Sequence, residues 1–229
     1  MLRSFLPIAL VATAIVAACG GGGQEDTASQ TPVQENVFQN PGLEEGRDPW
    51  FSLREPEFTL SEDIARTGEA SALLQMRADP QEEEAKGFYL VQEVTPGQIP
   101  EILSGHYQVT AWTPGTRLQY LQVVVIVFGA NNLPGDYRSH QLRYILAGID
   151  EEPIVIDNAQ FVFLGGEDPP LEQWVPFELN VRDDFQALWG AVPERFEKIR
   201  LLFEVRYDSK APDETPEADV YFDDLYFGP

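Results

Sequence analysis

The chain has 229 residues, 43% of them hydrophobic and 11% aromatic, enough for one sizeable domain with a core of ordinary size. Fifteen Lys and Arg stand against 38 Asp and Glu, a net charge of −23. That excludes a grip on nucleic acid or anionic lipid, since both need clustered positive surface. One Cys and two His, His106 and His140, exclude an internal disulfide and a zinc or iron–sulfur site built on Cys and His. Any bound metal would be a hard cation held by carboxylate and carbonyl oxygens.

In chain order, Met1-Leu-Arg3 is a short positive start. It is followed by Phe5 to Ala18, apolar except for Thr13 and broken once by Pro7. That run is too short for a comfortable membrane span and ends in small residues, as secretory signals do. Val16-Ala17-Ala18-Cys19 resembles the lipobox of bacterial lipoproteins. The resemblance implies cleavage before Cys19 and lipid on its sulfur and new amino group, and Gly20 after it implies delivery to an outer membrane. A buried core cysteine is the alternative. From Gly20 to Asn36 there is no apolar periodicity, and the segment reads as a flexible polar tether. The expected organisation is a signal peptide over 1–18, a lipidated Cys19 and tether over 19–36, and a folded domain over 37–229.

Within that domain the apolar runs are short and bounded by Pro, Gly, Asn or Asp, which predicts strands. They fall at Phe51–Leu53, Ser71–Arg77, Phe88–Val94, His106–Trp112, Leu118–Phe128, Gln141–Leu146, Ile154–Phe163, Trp174–Val181, Ile199–Tyr207 and Val220–Phe227. Over Ile199–Tyr207 the odd positions are apolar, while Arg200, Glu204 and Arg206 point the other way, as in a sheet with one dry face. Val123–Phe128 is apolar throughout and reads as mid-sheet. One helix is expected after Asp183-Asp184, with Asp184 as cap, since Phe185, Leu188, Trp189 and Val192 follow helical spacing up to Pro193. The fold class is therefore all-β, a two-sheet antiparallel β-sandwich with one short helical insert.

Five pieces, in order, resemble the galactose-binding-like jelly roll of carbohydrate-binding modules of families four and nine. They are Asn40-Pro-Gly-Leu-Glu44-Glu-Gly46 with Trp50, Thr67-Gly-Glu-Ala-Ser71, Leu90-Val-Gln92-Glu-Val94, Ser104-Gly-His-Tyr-Gln-Val-Thr-Ala-Trp112, and Val220-Tyr-Phe-Asp223-Asp224-Leu-Tyr-Phe227. Leu43 replaces the usual Phe, and the acidic run at Glu82–Glu84 and the 183–193 insert have no counterpart. First and last strands that are neighbours would bring Glu44 and Asp223 together, and two close carboxylates repel unless something positive lies between them. The resemblance implies a structural Ca²⁺ there, with Gly42, Glu44, Glu69, Ser71 and Asp223 as its ligands. Hydrogen bonds from backbone N–H groups are the alternative.

A sugar site pairs aromatic faces with amides, carboxylates and guanidinium groups. If the strands that carry them share a sheet, Gln108, Trp112, Arg143, Glu204 and Arg206 lie on one open face. The alternatives are a solvated face of Arg–Glu pairs and a Trp112 tucked beneath a loop. Trp189 is expected to pack onto the sandwich, and Tyr221, Tyr226 and Phe227 to belong to the core and its edges. No Gly-x-Ser-x-Gly elbow or phosphate loop follows a strand, and although 38 acids leave a glycosidase pair of carboxylates open, no compact acidic strand motif is present, so an enzyme is not expected. The expected function is non-catalytic binding of a polysaccharide or glycan by a membrane-anchored lipoprotein. The alternative is a lipoprotein that docks onto an envelope protein partner, for which the tether and the 183–193 insert speak.

Overall fold

Alternation with period two is realised as ten strands in two five-stranded sheets. The computed structural model describes residues 35–229, so the signal peptide, Cys19 and most of the tether lie outside the described residues. The strands are β1 (Thr59–Ser61), β2 (Ser71–Arg77), β3 (Lys86–Val94), β4 (Ile102–Thr113), β5 (Leu118–Phe128), β6 (Ser139–Ala147), β7 (Ala159–Phe163), β8 (Trp174–Asn180), β9 (Lys198–Asp208) and β10 (Glu217–Gly228). The first sheet runs β1-β2-β10-β4-β8 and the second β3-β9-β5-β6-β7. The expected β2 and β5 match at both ends, and β5 is the middle strand of its sheet, as its unbroken apolar run required. The three-residue β1 was too short to read. Phe51–Leu53 forms no strand; only Phe51 pairs with Val91, at 3.0 and 2.9 Å.

One pair departs from the antiparallel expectation. β6 and β7 run parallel, which requires the chain to cross over between them, here through residues 148–158. Between the sheets, Phe203 and Phe222 meet at 5.3 Å and Phe38 and Trp50 at 5.1 Å. Truncating such a ring to Ala typically destabilises by about 3–5 kcal/mol.

The two ends of the domain close against each other. Val37 N–H donates to Phe227 O at 2.8 Å, Leu225 N–H to Pro41 O at 3.1 Å, and the Asn36 amide bridges Leu225 O and Phe227 N–H at 2.9 and 3.0 Å. The insert differs from expectation in its start. Its helical turn α1 spans Val181–Asp184 and is capped by Asn180, whose side chain accepts from Asp183 N–H at 3.0 Å. Asp184 instead accepts the Tyr144 hydroxyl at 2.9 Å. A π-helical turn, Phe185–Trp189, follows and stops at Gly190, whose φ of 80° suits glycine. Phe185 and Trp189 are buried, so the insert belongs to the core.

Candidate functional site

The five residues expected to line one face do not share a sheet. β4 carries Gln108 and Trp112 in the first sheet, whereas β6 and β9 carry Arg143, Glu204 and Arg206 in the second. Gln108 and Trp112 do not share a face either. Against β10, Val109 pairs with Val220 but Ala111 with Asp219 and Trp112 with Ala218, which leaves Thr110 as the extra residue of a bulge. One extra residue reverses every later side chain. Trp112 is thereby turned to pack on the core, and its indole N–H donates to Asp168 Oδ1 at 2.9 Å.

Arg143, Glu204 and Arg206 do share a face, the outer one of the second sheet, with Arg143 two strands away from the other two. Register sets the rows: Tyr89, Glu204, Gln122, Ile145 and Phe163 lie side by side, and Val91, Leu202, Val124, Arg143 and Phe161 form the next. Gln122 Nε2 donates to Glu204 Oε2 at 2.5 Å. Arg206 donates from Nε and Nη2 to the two oxygens of Asp208, at 2.8 and 2.7 Å, and weakly from Nη1 to Glu204 at 3.4 Å. Tyr120 donates its hydroxyl to Asp208 at 2.7 Å. Tyr89 lies across Gly87 beside Glu204, where a Cβ on residue 87 would collide with both side chains. Glu204 is 2% exposed, a burial that a carboxylate tolerates only when paired.

The electrostatics follow. Burial, reinforced by Glu204, pushes the Tyr89 phenol up to about 12. Burial likewise raises Tyr120. Burial works against the Arg206 charge, yet Asp208 and Glu204 outweigh it and hold the guanidinium protonated. A row further along, Glu93 accepts from Lys198 at 2.7 Å and from Arg200 at 2.8 and 2.6 Å. Burial opposes the Glu93 charge, but those two cations hold its carboxyl below the ordinary range.

The face is bordered by aromatics. On β7, Phe161 and Phe163 stack at 6.3 Å with their planes 20° apart, and Phe163 is 38% exposed. The Arg143 guanidinium lies 5.9 Å above Phe161 and donates to Gln141 Oε1 at 3.0 Å, while its Nη1 is enclosed without a partner. Opposite, the Phe51–Leu53 segment is fixed by Ser52 Oγ donating to Tyr89 O at 2.8 Å. Tyr89, Tyr120, Gln122, Asp208, Phe161 and Phe163 were not expected here. Tyr120 and Gln122 did carry the signal, as the only polar positions of one parity within the apolar β5.

At the closure of the two ends, Glu44 and Asp223 face one neighbourhood: a Cβ on Gly42 would lie 4.0 Å from Glu44 Oε1 and from Asp223 Oδ1. Both carboxylates take backbone N–H groups. Glu44 accepts from Glu69 at 2.9 and 3.0 Å and from Ala70 at 3.2 Å, and Asp223 from Arg66, Thr67 and Asp224 at 2.7, 3.2 and 2.6 Å. Asp224 binds the Arg66 guanidinium and the Thr67 hydroxyl. Burial raises the Asp223 carboxyl despite its three N–H donors. Ser71 turns its hydroxyl to Ile64 O, and Glu69 presents an N–H to Glu44. Among the described residues no group of three or more Asp, Glu, His or Cys gathers to hold a metal. The six to eight oxygens that Ca²⁺ takes would have to include backbone carbonyls beside these two carboxylates.

No family model matches the chain, and no curated protein matches it. Solved structures do. The TmCBM61 module, solved with β-1,4-galactotriose, is 14% identical at a TM-score of 0.45, covering 84% of this chain and 97% of its own. The C-terminal family 22 carbohydrate-binding module of Clostridium thermocellum Xyn10B is 11% identical at 0.44, over 84% and 92%. A cellulase derived from that of Rhodothermus marinus is 15% identical at 0.41, over 80% and 96%. The likeness is one of β-sandwich architecture, shared by binding modules and a catalytic domain alike.

Proposed function

We propose that this protein is a non-catalytic glycan-binding module that uses the outer face of the second sheet. The observation that carries the reading is the accessible edge of this face, where the stacked Phe161 and Phe163 stand beside the Arg143 guanidinium over a buried network of Glu204, Arg206, Tyr89, Gln122 and Tyr120. That network is itself buried, with Tyr89 and Tyr120 in two small apolar clusters of this face and Glu204 and Gln122 at 2% and 0% exposure, so the rings of β7 and the Arg143 head are what a ligand reaches. Fixed by charge-assisted bonds, the face is pre-organised, which lowers the entropy lost on binding. Sugars match it chemically, because their C–H faces stack on rings and their hydroxyls both donate and accept. The Arg143 Nη1, left without a partner, is the donor that a hydroxyl would take up after a small side-chain shift.

The test is affinity electrophoresis in gels loaded with galactan, xylan or β-glucan. Retardation by one polysaccharide, lost in Phe163→Ala and Arg143→Ala, supports the reading; free migration in all of them overturns it. Docking on an envelope protein drew on the tether and the 183–193 insert; in the insert Phe185 and Trp189 are buried while Leu188 is 38% exposed. We further propose that Cys19 carries lipid and tethers the module to the cell envelope. Partitioning of the full chain into detergent, abolished in Cys19→Ala, tests this separately.

A further inference from the structure

One row on the outer face of the first sheet holds polar groups that the fold does not use. Leu73, Tyr221, Gln108 and Trp174 lie side by side on β2, β10, β4 and β8. Their chain neighbours Leu74, Val220, Phe222, Tyr107 and Val109 face the core, so these four face outward. Tyr221, expected in the core or at its edge, is buried as expected although its side chain lies on this outward row. Gln108 and Tyr221 are each only 8% exposed, and Trp174 is half-buried. Among the described residues, the Gln108 amide, the Tyr221 hydroxyl and the Trp174 indole N–H have no hydrogen-bond partner. In the adjacent row, between Asp223 and Pro176, His106 encloses an Nδ1 that also lacks one. Of these groups only the His106 Nδ1 is enclosed; the Gln108, Tyr221 and Trp174 polar groups still touch water, which a ligand displaces.

We propose that this row is a second binding site, taking a neutral glycan chain laid across the strands. The proposal rests on the reading of the protein as a glycan binder and adds a site on the opposite side of the sandwich. Tyr221 and Trp174 stand two strands apart, roughly 10 Å, so the half-buried Trp174 ring stacks on one sugar while Tyr221, 8% exposed, offers only its hydroxyl to another. The Gln108 amide between them both donates and accepts, as the hydroxyls of the intervening sugar require. Neutrality follows from charge. The nearby arginines are already engaged, Arg77 with Asp219 at 2.7 Å and Arg66 with Asp224, and a chain of net charge −23 repels a polyuronate. Sites on both faces would let one molecule join two polysaccharide strands, so that binding to an insoluble polymer exceeds either affinity.

The test is calorimetric titration of the full chain with cellohexaose, xylohexaose and a β-1,4-galactan oligomer, alongside Trp174→Ala, Gln108→Ala, and the double variant Arg143→Ala/Phe163→Ala. Unchanged melting of each variant shows that it folds, with Trp174→Phe as substitute if the alanine variant melts early. The expected result is a second equivalent of bound oligosaccharide, lost in Trp174→Ala and Gln108→Ala and kept in the double variant. A single equivalent untouched by Trp174→Ala overturns this site and leaves the second-sheet reading standing. Binding abolished by Gln108→Ala but unaffected by the double variant supports this site and removes the other. No binding of any oligosaccharide overturns both.

Discussion

Arg206 is the point where the second-sheet face can be broken most informatively. Its side chain is 19% exposed and sits between two carboxylates, Glu204 and Asp208, at 2% and 5%. Replacing Arg206 with Ala removes two good hydrogen bonds to Asp208, each worth about 1.5–3 kcal/mol when charged groups are involved. The 3.4 Å contact to Glu204 adds little directly, but its loss leaves a second buried charge without compensation. Breaking a buried pair from one side costs about 3–5 kcal/mol. For a domain of this size that is a fall of roughly 6–20 °C in melting temperature. The assay is urea unfolding followed by tryptophan fluorescence. Glu204→Gln and Asp208→Asn added to Arg206→Ala should recover part of the loss, because they remove the stranded charges. A loss below about 1 kcal/mol for Arg206→Ala, or no recovery in the triple variant, would refute the claim that this face is a coupled buried network.

Asp223→Ala should lower stability by about 2–4 kcal/mol, read in the same unfolding assay, because three backbone N–H groups lose one acceptor; a neutral result would mean that water replaces it. Chelation with EDTA should leave the melting temperature unchanged, since Glu44 and Asp223 are held by N–H donors; a clear drop, reversed by calcium, would place a cation between them. Glu93 has a lowered folded-state pKa, so its contribution is present above the ordinary Glu value of about 4.3 and is lost as pH falls through the folded value. Glu93→Gln should therefore cost about 1 kcal/mol near neutrality and nothing in strong acid, and a gap that stayed constant with pH would contradict the assignment. Gly87→Ala should destabilise by about 1–3 kcal/mol through overpacking against Tyr89 and Glu204, measured by thermal melting; an unchanged midpoint would mean that Tyr89 moves aside freely.

Most of the strands were legible because their evidence is local: alternation over Ile199–Tyr207 and the unbroken run at Val123–Phe128 state directly how many faces are dry. The meeting of the ends was also legible, since it followed from motifs at both termini of the domain. The outer face of the second sheet was half legible. Parity along β6 and β9 put Arg143, Glu204 and Arg206 on outward positions, and the sheet that unites them is the one that forms. The insert was misread at its cap because Asn180 and Asp184 are both good cap residues, and only the Tyr144 hydroxyl decides where Asp184 turns.

What the amino-acid order determined by itself was the set of strands, their dry sides and the class of fold, since side-chain parity is a property of each segment alone. Which strands became neighbours was decided only by the tertiary structure, and with it the separation of Gln108 from Arg143. The same holds for the bulge at Thr110 that turned Trp112 inward, because a bulge exists only relative to the partner strand against which its register is counted. The row of Leu73, Tyr221, Gln108 and Trp174 is of this kind too: four residues up to about 150 positions apart, aligned by hydrogen-bond ladders that no single stretch of chain encodes.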